Sequence, residues 1–216
     1  MAIHPQGSGG LTTPRYQHLA TASAIAHGIA IVSMAVFTLG ALGLTRRLTA
    51  IELRHSPSEP DRLSLSAFVA YNFAIVAILI AATVSGFIVP RLFLMMSHDT
   101  IQTQPFVTPT WHIVIAAIFQ FNQAFSRIYT VAASAAIILW SASALRNATP
   151  SLLTDAPPIP GLTRTLSLYG CISGAILVAL IFAGHLRLDV HGMTAVVLVQ
   201  AIWFLLAGSQ LSRRPT

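Results

Sequence analysis

Two imidazoles and a carboxylate fall within seven residues in the segment His185-Leu186-Arg187-Leu188-Asp189-Val190-His191, which separates two apolar runs. Imidazole with carboxylate suits a borderline ion such as zinc or copper, and imidazole alone suits haem iron. One expectation is therefore a metal held by His185, Asp189 and His191. Another is a b-type haem or other tetrapyrrole near the outer face, with ligands drawn from His27, His112, His185 and His191. Helical bundles build such sites from inward side chains on facing helices. The competing reading is a structural turn in which Asp189 caps the helix that follows it.

Arg127 is a second anomaly. A charged side chain inside a membrane span is costly unless it is paired, wetted or near an interface. Gln120, Gln123, Arg127 and Thr130 follow helical spacing in an otherwise apolar run, and the expectation is a buried polar network of Gln123, Arg127 and Thr130. His27 lies in the first apolar run at a comparable depth, so the two could border one polar site. A small transporter or proton pathway using Arg127, His27 and Asp189 is the alternative, against which the scarcity of intramembrane acids counts. Met95-Met96-Ser97-His98-Asp99 offers the soft ligands copper(I) prefers, although interfacial methionine is more often gap-filling. The lone Cys171 permits no intrachain disulfide and reads as a packing residue. Gly170-x-x-x-Gly174 permits close helix contact, and Asn72 and Gln200 are expected to hydrogen-bond between helices.

These residues must be positioned by helices. Only 8% of the 216 residues are charged and 55% are apolar, too few charges to cover a soluble surface when an ordinary domain carries about 25%. Apolar runs at about 19–44, 65–89, 121–145, 166–185 and 190–211 each meet the requirement of about 20 residues for a bilayer core of about 30 Å. They are apolar on both parities, which excludes barrel strands. The fold expected is an all-α integral membrane protein, a bundle of about five transmembrane helices. Residues 1–17 read as a flexible outer segment, 18–212 as one transmembrane domain and 213–216 as a tail. The stretch 109–120 adds an extra outer apolar segment, either continuous with the third span or separate from it.

All twelve basic residues are arginine. With the N-terminus outside and the C-terminus cytoplasmic, eight of them fall in cytoplasmic segments and three in outer ones, the bias of the positive-inside rule. Seven of the eight histidines then lie in the outer half. The Arg residues end apolar runs and form no patch, which argues against nucleic acid as a partner. The partners expected are the lipid bilayer and other membrane subunits or further copies of the chain, in the plasma (inner) membrane of a bacterium. The absence of lysine excludes a Schiff-base cofactor. Phosphate-binding glycine loops, Gly-x-Ser-x-Gly and His-Glu-x-x-His are all missing. The function expected is that of a subunit in a larger membrane assembly, with the histidine-held cofactor as its chemistry.

Overall fold

The computed structural model describes residues 13–55, 61–99, 107–147 and 162–212, and these are helical apart from short connections, with no strand among them. Helix α1 spans Thr13–His55, α2 Arg62–Thr83, α3 Val89–Asp99, α4 Val107–Asn147, α5 Arg164–Phe182 and α6 Val190–Ser212, with a π-helical turn at Val84–Ile88 joining α2 to α3. Five of the helices are long and apolar enough to cross a membrane. Helices are what a lipid core permits, because each backbone polar group is satisfied within its own segment.

Their lengths are unequal. The 19 residues of α5 rise about 28 Å, one bilayer core, whereas the 43 of α1 and 41 of α4 rise roughly 60 Å or more. The segment 109–120 is thus not separate: it is the first part of α4, since nothing from Thr110 onward interrupts the helix. α1 likewise begins at Thr13, inside the expected flexible lead-in. Pro14 is tolerated there, because the first turn has no use for its missing N–H. Residues 1–12 and 213–216 lie outside the described residues.

The described residues form two compact units, one from the chain up to Ala35 and from Val76 to Arg127, the other from Val36 to Ile75 and from Ile128 onward. In the first, the π-helical turn has a local cause. Pro90 has no N–H to offer the Gly86 carbonyl four residues earlier, and the chain widens there, with Val89 N–H donating to Val84 O. Beyond it, Val89, Leu92 and Phe93 of α3 and Ile115, Ile118 and Phe119 of α4 line one apolar crevice.

The second unit has an aromatic centre. Trp140 and Trp203 stack at 6.1 Å between centroids, and Tyr71 and Phe204 pack on Trp140 at 5.5 and 6.0 Å. Small residues let the helices close around these rings, with Ser64, Ser134, Ser141, Ser143 and Ser167 fully buried, the composition expected where helices pack in lipid. Both glycines of Gly170-x-x-x-Gly174 serve this packing. A Cβ at Gly174 would stand 2.7 Å from Ile138 Cγ1 and 3.0 Å from the Ser134 carbonyl oxygen, while one at Gly170 would meet Ser141 Oγ and Trp203 Nε1.

Candidate functional site

The segment from His185 to His191 is built as the end of one helix and the start of the next. Gly184 has a φ of 70°, the left-handed conformation that glycine adopts without strain. Around it Gly184 N donates to Ile181 O at 3.1 Å and His185 N to Leu180 O at 3.1 Å, the paired bonds that close a helix C-terminus. Asp189 Oδ1 then accepts from Gly192 N at 2.9 Å, capping α6. A Cβ on Gly192 would strike the Arg187 carbonyl oxygen, so the tight turn needs glycine there. Leu188 is buried in a cluster with Leu177 and Val196, while His185, Arg187, Asp189 and His191 are exposed. Among the described residues no three His, Cys, Asp or Glu side chains are gathered to hold a metal ion. The three ligands expected here are therefore not brought to one point, because Asp189 serves the α6 cap and both histidines face outward.

The polar face of α4 is also only partly buried. Thr130 is fully buried, Gln123 is half-buried and Arg127 is exposed, so the face the three share runs from the interior to the surface. Arg127 precedes Arg146 by 19 residues, about 28 Å along α4, close to the thickness of one hydrocarbon core.

His27 has the most defined setting of the candidate ligands. Its Nδ1 lies 2.8 Å from the Ser23 carbonyl oxygen. A carbonyl only accepts, so Nδ1 carries the proton and Nε2 the lone pair when the ring is neutral. Ser23 Oγ reaches the Ser85 carbonyl at 3.5 Å, and the imidazole packs where a Cβ on Gly86 would stand. The π-helical turn thus seats His27. A donor bond that fixes the tautomer is what ligating histidines ordinarily have. His112 belongs to the first turns of α4 and His98 to α3; their side chains, like that of His55 and the whole of His4, lie outside the described residues.

A site that the sequence reading passed over lies in the second unit. Asp61 is fully buried and caps α2, Oδ1 accepting from Ser64 N at 3.1 Å. Oδ2 accepts from Ser143 Oγ at 2.6 Å, and Ser143 Oγ in turn accepts from Ser64 Oγ at 3.0 Å. Arg146 Nη2 bridges Glu52 Oε1 at 2.9 Å and Asp61 Oδ1 at 3.5 Å. This cluster ties α1, α2 and α4 through one carboxylate whose burial is tolerable because it is so fully hydrogen-bonded. The signal available in sequence was Asp61-x-x-Ser64 at the head of an apolar run, a helix-start pattern.

Of the two isolated polar groups, Gln200 does bridge helices, accepting from Tyr129 Oη at 2.8 Å and donating to Ser134 Oγ at 3.3 Å. Asn72 instead donates to Phe68 O of its own helix at 2.7 Å. Cys171 lies 3.9 Å from the Ile138 carbonyl, in keeping with a packing role. Compared with family models, curated proteins and solved structures, the chain shows no significant match to any of them.

Proposed function

We propose that the chain is a non-catalytic helical subunit of a larger membrane assembly. The observation that carries this is the first half of α4, where Ile113 and Phe121 are exposed. Ile113 precedes Arg146 by 33 residues and Phe121 by 25, about 50 and 38 Å of helix against a hydrocarbon core of about 30 Å. Apolar side chains at those distances need a cover that lipid tails do not supply, and a partner subunit is such a cover. Mass measurement of the particle released from native membranes by a mild detergent tests the reading. A particle larger than one chain with its lipid is expected, and a monomer in every gentle detergent would refute it.

In this reading the N-terminus and the segment around Thr103 face outward and the segment around Ser58 faces the cytoplasm, as the arginine partition favours. Single cysteines at Thr103 and Ser58 in a Cys171→Ser background check it. An impermeant thiol reagent added outside should label the first and spare the second, and the reverse would invert the topology.

A second reading, a histidine-held tetrapyrrole or transition metal within the subunit, is favoured by His27 alone, with its tautomer set by Ser23 O. The gently isolated protein is then expected to show a visible absorption band or stoichiometric metal, lost in His27→Ala and kept in His185→Ala, since His185 belongs to the turn. A featureless spectrum with substoichiometric metal would dispose of this reading and leave the first intact. The transport alternative draws no support from Arg127, which is exposed, or from Asp189, which is occupied as a cap.

A further inference from the structure

Ser141 Oγ, Ser167 Oγ and Trp203 Nε1 are buried polar atoms that find no hydrogen-bond partner among the described residues, and they belong to one junction of α4, α5 and α6 inside the second unit. All three residues are 0% exposed. A Cβ on Gly170 would strike both Ser141 Oγ and Trp203 Nε1, so a hydroxyl from α4 and an indole N–H from α6 converge over one glycine of α5. Ser167 precedes Gly170 by three residues, one turn along the buried face that they share with Gly174.

Unpaired hydroxyls are not the habit of this chain. Thr21, Ser33, Thr45 and Thr83 each donate to the carbonyl four residues back, the ordinary recourse of such side chains inside a helix. Ser141 and Ser167 do not take it. The indole of Trp140, on which Trp203 stacks, donates to Thr45 Oγ1 at 3.0 Å, and Gln200 is answered by Tyr129 and Ser134. Buried polar groups left over in one place, where their neighbours are satisfied, point to a partner that is not a side chain.

That partner must accept from an indole N–H, which only donates, and be shared with two hydroxyls, which do either. Charge argues against an ion. Residues 128–145, 165–182 and 192–212 contain no Asp, Glu, Lys or Arg, and the arginines next in sequence, Arg146 and Arg164, are exposed, where water screens them. An ion at the junction would therefore lose its hydration without a counter-charge to offset the loss. We propose that Ser141, Ser167 and Trp203 hold one water molecule, which accepts from Trp203 Nε1 and from one serine and donates to the other. Three bonds are the usual complement of a buried water. The residues one turn on from Ser141 and Trp203 are Ala144 and Ala207, both buried, so beside the indole the lining consists of small side chains. The site lies five residues from Arg146 along α4 and six, at Gly170, from Arg164 along α5, about 8–9 Å of helix in from the arginines. It ties three helices without depending on the subunit reading.

The first test needs no variant: the structure of the full-length protein in crystals grown in lipid, at a resolution that shows ordered water. A density peak is expected at hydrogen-bond distance, about 2.7–3.2 Å, from Trp203 Nε1 and from both hydroxyls. No peak, with Trp203 Nε1 donating straight to Ser141 Oγ, would overturn the proposal. So would a peak that takes on the scattering of bromide when chloride is exchanged for it, since the occupant would then be an anion. In solution, protein with isotope-labelled indoles reports the same contact by magnetisation transfer from water to the Trp203 N–H, assigned by its loss in Trp203→Phe. The transfer should survive in Ser141→Ala, where Ser167 and the indole still hold the water. Its loss there would mean that the hydroxyl itself sits against the indole, and the proposal would fail.

Discussion

Replacing Asp61 with alanine is expected to destabilise the protein more than any other single polar substitution, by about 3 kcal/mol or more. Hydrogen bonds to a charged acceptor contribute about 1.5–3 kcal/mol each, and loss of a helix cap adds about 1 kcal/mol. Asp61→Ala removes the acceptor for Ser143 Oγ and for Ser64 N together, and it leaves the fully buried Ser143 hydroxyl with Ser64 Oγ alone. The Arg146 contact counts for less, because that side chain is half exposed and water screens it. Asp61→Asn keeps an oxygen for the cap and should cost less than half as much. Denaturant titration in mild detergent, followed by tryptophan emission, gives both numbers. A shift within about 0.5 kcal/mol for Asp61→Ala, the range of an ordinary surface change, would mean that the cluster is incidental.

The importance of Asp61 could not be reached from sequence, for a definite reason. Its cap motif was visible three residues before Ser64, but Ser143 and Arg146 lie more than eighty residues further on. Counted by topology alone, Arg146 was one of eight inner arginines, and its pairing with two carboxylates had no local trace. The five apolar runs were legible because bilayer thickness imposes a length that no tertiary contact can change. The turn from His185 to His191 was legible only as two alternatives. Both use the same residue types, and what separates them is that Asp189 points its oxygen at Gly192 N rather than at an imidazole. The fixed tautomer of His27 was similarly hidden, since it depends on a carbonyl of its own helix and on Gly86 of another.

Gly170→Val is expected to lower stability toward the upper end of the range of about 1–3 kcal/mol for overpacking. The added atoms would enter the space of Ser141 Oγ and Trp203, whose Cδ1 lies 2.9 Å from the position of a Cβ. Ser141 can rotate away. Trp203 cannot easily follow, because its ring is stacked on Trp140 within 12° of parallel and is met edge-on by Phe204 at 5.2 Å. A thermal melt in detergent should show the loss, with Gly208→Ala as the opposite control. No neighbour opposes a Cβ at Gly208, so alanine there should gain up to about 1 kcal/mol of helix propensity. Equal melting of Gly170→Val and the unaltered protein would mean that the rings repack freely.

α4 contains neither glycine nor proline from Thr110 to Asn147, whereas the path from α2 into α3 carries Gly86, a widened π-helical turn and Pro90 within seven residues. Kinks in long helices gather at such features and are rare without them. Among the described residues, bending is therefore expected to gather at Val84–Pro90, whereas α4 offers it no such place on the way to Arg146, the residue that holds Glu52 and Asp61.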